Sequence, residues 1–373
     1  MGHGLNIVSM FDGISCGRVA LDSAGIAVDS YAAFEIDKYA KAVSKYNYPD
    51  ITQHGDVLNA DFSRFADIDL VMGGSPCTFW SIAKTNREVD KKGIGWKLFM
   101  KFVEAVRVIS PRFFLYENVA SMPRNIKQYI SEELGVEPVL INSALVSAQN
   151  RKRLYWTNIQ GITQPDDKNI LLQDVLETGV TARDKSYCID ACYYKGGNYS
   201  RPLSQSGRRR MIYEPSKPEP YELGAALRTR SDENGKFKRL EIRNDGKSNA
   251  LTTVQTDSVV CAPVRVGHYG AGGQGNRIYS VRGKSVSFMA NGGGRGGKVG
   301  LYKVDLPDGE YIIRKLTPIE AERCQTLPDS YTALGIDGTG RTVNISNTQR
   351  YRCIGNGWTV AVIAHILGFA DWR

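Results

Sequence analysis

The rhythm of the first 160 residues constrains this chain more than any other feature: short apolar runs alternate with stretches of helical period. Residues 5–10 read as a strand that ends in a Gly-containing turn, and 19–24 as the helix after it. Residues 30–34 and 38–46 repeat the pair. Residues 69–72 are a further strand, 98–109 an amphipathic helix and 113–116 another strand. Strands that are apolar along their whole length have no wet face. Joined through helices, they predict an α/β fold with a parallel sheet covered on both sides.

The rhythm stops after Trp156. From about 165 to 310 the chain is rich in Gly, Ser, Asn and Arg, with short alternating runs at 254–260 and 277–281. This is the pattern of a small, irregular β domain. Gly-Lys-Ser occurs at 246–248 and again at 283–285, each after a strand-like run, as in a duplicated hairpin. Neither is a P-loop, because the upstream Gly of the Walker pattern is missing. Helical rhythm returns with Thr317-Pro318-Ile319-Glu320, which has a cap, a Pro at the first position and a Glu at the third. An apolar helix at 359–369 closes the chain. The expected organisation is a first domain from 1–164, an insertion at 165–312 and a return to the first domain at 313–373.

Charge follows the same division. The 373 residues carry a net charge of +9. Between 196 and 300 stand 18 Lys and Arg against 8 Asp and Glu, leaving 30 against 31 elsewhere. A basic block on a near-neutral body is the footprint of a polyanion binder or a solvated, loop-rich surface, and charge alone leaves both open. Seven Cys, an odd and scattered set, are no disulfide framework and point to a reducing, cytoplasmic compartment. Only Cys188 and Cys192 lie close together, with no His at a zinc-like spacing, so no metal site is expected. No apolar run reaches the roughly 18 residues of a membrane span, and the N-terminus has no signal-peptide pattern.

Several short segments carry candidate chemistry. Phe11-Asp12-Gly13-Ile14-Ser15-Cys16-Gly17 joins the first strand to the first helix, either as a plain turn or as one that brings backbone to a ligand. Glu35 ends the second strand, where a carboxylate can accept from ribose hydroxyls, and Asp56 follows His54-Gly55. Gly73-Gly74-Ser75-Pro76-Cys77 presents a Cys at the carboxyl edge of a strand. A free Cys is most often a small buried hydrophobe. Here Lys84, Arg87, Lys91 and Lys92 follow in the next loop and are expected to favour the thiolate. Glu117 ends a very apolar strand, as a capping acid or as a proton donor held in a dry site. Gln149, Arg151 and Arg153 alternate and, as a strand, would share one face. That face is a basic edge, or it aims two Arg at negative charge on a ring oxygen or phosphate.

Taken together, these residues resemble the cytosine-C5 DNA methyltransferase family. Six elements stand in that family's order: Phe11-Asp12-Gly13; Glu35; Gly74-Ser75-Pro76-Cys77; Glu117-Asn118-Val119; Gln149-x-Arg151-x-Arg153; and Gly355-Asn356-Gly357-Trp358. The resemblance covers about 5–160 and 312–370, and its motif style is closest to the mammalian de novo branch and to bacterial or phage relatives. Three positions depart from the family pattern. Thr78 stands for the usual Gln after the nucleophile, Ser15 for the second Gly of the first motif, and Ile36 for a common aromatic residue after the ribose-binding Glu.

The resemblance implies a Rossmann-like S-adenosylmethionine-dependent methyltransferase sheet with a small, mostly β target-recognition domain inserted. It implies Cys77 as nucleophile toward cytosine C6, Glu117 as the acid at N3, and Arg151 and Arg153 at O2. The cofactor would lie along Phe11, Asp12, Gly13, Ile14, Ser15, Gly17, Glu35, Ile36, Asp56, Val57, Leu98, Asn356 and Trp358, leaving as S-adenosylhomocysteine. Within that set Phe11 packs on the adenine, Glu35 holds the ribose and Asp56 reads the adenine amino group. Asn118 would orient the Pro76-Cys77 turn. The implied partner is double-stranded DNA, bound by a monomer, with the enzyme nucleoid-associated through its DNA. Two rivals use the same scaffold: a tRNA cytosine methyltransferase, and a non-catalytic DNA-binding relative. A nicotinamide dehydrogenase is a distant third, since Gly-x-Gly-x-x-Gly is missing from the first turn.

Overall fold

A computed structural model describes residues 4–82, 86–179, 181, 183–194 and 315–372 with their side chains. Between 212 and 314 it describes the backbone of seven strands. By internal contacts the chain forms two compact units. The first comprises Met1–Glu177, Arg183–Tyr193 and Pro318–Arg373, and the second Thr178–Ala182 and Tyr194–Thr317. Residues 165–177 and 183–193, which the sequence places in the insertion, pack with the first unit.

The first unit alternates as its periodicity requires. In order come β1 (Leu5–Met10), α1 (Cys16–Ser23), β2 (Val28–Phe34), α2 (Lys38–Asn47), β3 (Thr52–Gln53) and β4 (Leu70–Gly73). Then follow α3 (Ile94–Ile109), β5 (Phe113–Val119), α4 (Arg124–Leu134), β6 (Val139–Asn142) and β7 (Lys152–Thr157). The strands form one sheet in the order β3-β2-β1-β4-β5-β7-β6. β1 to β5 are parallel, whereas β7 runs antiparallel between β5 and β6.

Each central strand sends alternate side chains to opposite faces. Ile7, Leu70, Met72, Leu115 and Tyr155 bury with α1 and α2. Val8, Val71, Phe114, Tyr116 and Trp156 bury with α3 and α4. With both faces covered, no polar position is needed in these strands. Strand order reverses between β1 and β4, the switch point where an open α/β sheet forms its crevice.

Local chemistry sets the element ends. Asp37 caps α2 by accepting from the backbone N–H of Tyr39 and Ala40. α3 begins at Ile94, four residues before the apolar period suggests, because Trp96 adds a buried first turn. β5 runs on to Val119, so Glu117 and Asn118 lie within it: β7 continues the ladder alongside, with Glu117 opposite Tyr155 and Val119 opposite Arg153. Gln149, Arg151 and Arg153 do not form one strand face. β7 starts at Lys152, and Gln149 pairs only through an isolated bridge to Ser186.

The second unit holds β8 (Ile212–Pro215), β9 (Gly224–Asp232), β10 (Gly235–Arg243), β11 (Arg265–His268), β12 (Arg277–Ser280), β13 (Leu301–Leu306) and β14 (Gly309–Arg314). β9 and β10 form an antiparallel hairpin, and the other five a sheet in the order β11-β12-β13-β14-β8. The run expected at 277–281 is β12. The run at 254–260 and the Gly-Lys-Ser repeats at 246–248 and 283–285 lie outside the described residues.

The chain then returns to the first unit through α5 (Pro318–Cys324), the hairpin β15 (Leu334–Ile336) and β16 (Thr342–Asn344), α6 (Asn347–Asn356) and α7 (Val360–Leu367). α7 packs on α1 and buries Val360, Val362, Ile363, Ile366 and Leu367 in the first core. Among the described residues no helix is long and apolar enough to cross a membrane.

Candidate active site

Sheet register gathers the candidate segments. Met10 pairs with Phe34 and Gly73, and Gly73 with Tyr116, so β1, β2 and β4 end in one row beside β5, which runs on to Val119. The turns at Phe11, Glu35 and Gly74 leave from that row, and Glu117 stands next to it on β5. Asp56 follows β3 at the same edge, where it caps a turn by accepting from Leu58 N–H.

One half of this edge is a backbone cradle. Phe11, Gly13 and Ser15 all have left-handed φ, at 57°, 61° and 61°. A Cβ on Gly13 would meet nothing within 4 Å, so the turn faces open space. Glu35 Oε2 accepts from Gly13 N–H at 2.8 Å, and Oε1 accepts from the N–H groups of Ile36 and Asp37. Ile36 beside it is 69% exposed, an apolar side chain on the lip of the crevice. Leu98 on α3 is partly buried against the second core, and Asn356 ends α6 exposed to solvent.

Other expected contacts turn inward. The side chains of Ile14 and Val57 are buried in the two cores, and Gly17 lies within α1, so any ligand contact from these residues would come from their backbone. The Asp12 carboxylate lies beneath the turn and accepts hydrogen bonds from Ser9, Ser15 and Tyr31 hydroxyls. Burial pushes its pKa up to about 6, against the lowering effect of those hydroxyls.

The other half carries the ionisable groups. Pro76 precedes a tight turn, Cys77–Phe79, that starts with the half-buried thiol. Asn118 Nδ2 donates to the Ser75 carbonyl at 3.1 Å, and Ser75 Oγ lies 2.6 Å from the Tyr116 hydroxyl, which together fix the approach to Cys77. A side chain at position 74 would be crowded: a Cβ would stand 3.0 Å from Glu117 Oε2 and 3.2 Å from Trp358 Nε1. Glu117 is 8% exposed. Its Oε1 pairs with Arg153 Nε at 2.8 Å, and its Oε2 accepts from Trp358 Nε1 at 3.1 Å.

Burial raises the Cys77 thiol pKa; Arg153 opposes this, Glu117 adds to it, and Arg151 opposes it more weakly. This corrects the expectation that basic residues of the following loop favour the thiolate. Arg87 donates to the Ser121 carbonyl. Lys91 sits over the rings of Trp96 and Tyr129 and pairs with Glu133. Lys84 lies outside the described residues.

The two arginines are not equivalent. Arg151 is buried, and its guanidinium donates to the carbonyls of Ile189, Gly355 and Gly357. Only Arg153 reaches Glu117. Between them stands Cys188, which the sequence reading considered only as a metal ligand. Its Sγ is 3.6 Å from Arg151 Nη1 and 3.9 Å from Arg153 Nη2. Burial raises this thiol pKa, but the two guanidiniums outweigh it and the net shift is downward. No residue spacing announces Cys188, because it reaches the site through a non-helical segment. Among the described residues no cluster of His, Cys, Asp and Glu is arranged to hold a metal.

A family model described as C-5 cytosine-specific DNA methylase matches residues 5–369. The chain is similar to the Type II methyltransferase M.HhaI of Haemophilus parahaemolyticus, with 27% identity over 97% of this chain and 93% of that protein. It is also similar to the orphan methyltransferase M.SPRI of Bacillus phage SPR, with 25% identity over 97% of this chain and 96% of that one. Among solved structures, the Entamoeba histolytica methyltransferase EhMeth superposes with a TM-score of 0.54 at 13% identity, covering 99% of this chain and 98% of that one. A putative DNA modification methyltransferase from an E. coli prophage superposes at 0.51 with 18% identity, covering 98% of both chains. The expected fold class, a Rossmann-like methyltransferase sheet with a small, mostly β part inserted, is the one observed.

Proposed function

The chain belongs to the C-5 cytosine-specific DNA methylase family, and from that premise we propose that it is a DNA (cytosine-5-)-methyltransferase acting on a flipped cytosine through Cys77. The observation that carries this reading is the packing of the Gly74–Cys77 turn directly against Glu117, with Arg153 on the same carboxylate.

Cytosine C5 is a weak nucleophile, so a group must first add at C6. Cys77 sulfur forms that bond, and the ring electrons move toward C5. Glu117 shares a proton with N3, so negative charge does not accumulate on the ring. Arg153 would meet O2. Arg151, whose donors are spent on carbonyls, positions rather than touches the base. After methyl transfer a base, water, removes the C5 proton, and the C6–sulfur bond breaks to release Cys77. These atoms are unreachable in a stacked duplex, which requires the base to leave the stack at a cost of a few kcal/mol.

The crevice residues suit S-adenosylmethionine. The open turn at Gly13 has room for the methionine part. Phe11 and the exposed Ile36 offer apolar surface to an adenine, and Glu35 and Asp56 offer acceptors to ribose and adenine N–H and O–H groups. Leu98, Asn356 and Trp358 would complete the wall. When bound, the cofactor supplies an electrophilic methyl group and leaves as S-adenosylhomocysteine. The basic block at 196–300 supports duplex DNA as the partner and target recognition as the work of the insertion, 165–312.

A duplex library and bulk tRNA offered together with the cofactor test this reading. Bisulfite sequencing is expected to show 5-methylcytosine in the duplex within one sequence context. A 5-fluorocytosine duplex is expected to trap an adduct on Cys77, and Cys77→Ser to abolish turnover. Methylation confined to tRNA, or an adduct on another residue, overturns it.

A further inference from the structure

Trp358 belongs to the segment assigned above to the cofactor, and its backbone bonds the Cys16 thiol, yet the hydrogen bond of its indole runs to the other half of the site. The indole Nε1–H donates to Glu117 Oε2 at 3.1 Å, while Arg153 Nε holds Oε1 at 2.8 Å. Two donors, one on each oxygen, fix the plane of the carboxylate. The last torsion of a Glu side chain is otherwise broad. An indole N–H is donor only, so unlike a hydroxyl or amide it cannot turn and present an acceptor to the same oxygen.

Trp358 is itself rigidly placed. The carbonyl of the preceding Gly357 accepts from Arg151 Nη2 at 2.8 Å and from Gln325 Nε2 at 3.3 Å. Gly357 also lies against Cys16 Sγ, where a Cβ would come within 2.9 Å. The nucleophile turn closes on the same bond, since a Cβ at Gly74 would touch both Glu117 Oε2 and Trp358 Nε1. The contacts form a circuit: Arg151 to Gly357, Trp358 to Glu117, Glu117 to Arg153, and both arginines to the sulfur of Cys188.

We propose that Trp358 is a positioning residue for Glu117, one that ties the orientation of the acid to the segment lining the cofactor crevice. The proposal rests on the reading of Glu117 as the group that meets the base.

Trp358→Phe keeps a six-membered aromatic ring and deletes the N–H together with the five-membered ring that carries it. It is expected to lower kcat by about tenfold, the scale of one lost hydrogen bond to a charged group. The dissociation constant for S-adenosylhomocysteine is expected to stay within about twofold of wild type, because the apolar face is retained. In a Glu117→Gln background the same substitution is expected to cost less than about twofold, since the carboxylate it orients is already gone. An equal loss in both backgrounds, or a change confined to cofactor affinity, overturns the proposal. A second readout does not depend on turnover. With 15N-labelled tryptophan, the indole resonance missing from Trp358→Phe is expected to shift in Glu117→Ala. An unmoved resonance overturns the proposal even if both variants are inactive. If Glu117→Gln alone turns over like wild type while the resonance shifts in Glu117→Ala, the contact stands and the reading of Glu117 as the acid fails instead.

Discussion

Cys77 and Cys188 are both half-buried and stand near the same two arginines, but their surroundings push their thiols in opposite directions. Burial dominates at Cys77, and the adjacent Glu117 adds to it. At Cys188 two guanidiniums touch the sulfur and overcome burial. Alkylating reagents react with the thiolate. A thiol shifted downward is ionised at lower pH than an ordinary one, and a thiol shifted upward only at higher pH. With no substrate present, iodoacetamide at neutral pH is therefore expected to label Cys188 before Cys77, as read by peptide mass spectrometry. Faster labelling of Cys77 would show that the arginines do not govern Cys188. Cys77 is legible in the sequence, because a strand feeding Gly-Gly-Ser-Pro announces an exposed turn. Cys188 is not, because its importance comes from two side chains more than 30 residues away in the chain.

Most strands and helices of the first 120 residues are legible because each buries an apolar surface with a regular period, whereas the two-residue β3 and the first turn of α3 are not. β7 breaks that economy. It enters the sheet antiparallel between β5 and β6, so the placement of Arg153 comes from its register opposite Val119, not from alternation with Arg151. The return elements α5 and α6 are joined by a feature that period cannot show. Glu322 is fully buried and accepts from the backbone of Ser330 and Thr332, from the Thr332 hydroxyl and from Arg350 Nη2 at 2.8 Å. Glu322→Ala leaves the Arg350 charge without its partner in a mostly buried place. The expected loss is about 3–5 kcal/mol, the cost of breaking a buried pair from one side. Chemical denaturation measures it. A loss below about 1 kcal/mol, as for an exposed pair, would mean that solvent already reaches the site. Glu322→Ala with Arg350→Met is expected to recover part of the stability.

On the scale of the molecule, charge is segregated. The block from 196 to 300 carries 18 basic against 8 acidic residues, while the remainder is close to neutral. If that block holds the phosphates, the logarithm of DNA affinity should fall with the logarithm of salt by about 0.9 for each phosphate neutralised. Five or more contacts predict a slope of about −4.5 or steeper, measured by fluorescence anisotropy on a short duplex. A slope flatter than about −2 would assign binding to the near-neutral unit instead. The division of the chain has a further consequence, in time rather than in space. α7 completes the apolar face against α1, yet residues 194–317 must be synthesised before it. At about 5–20 residues per second, that segment alone occupies the ribosome for roughly 6–25 s. Throughout that interval the nascent sheet lacks the helix that seals one of its faces. A chain halted at residue 317 should therefore be digested by protease at strands that resist once α7 has packed on α1.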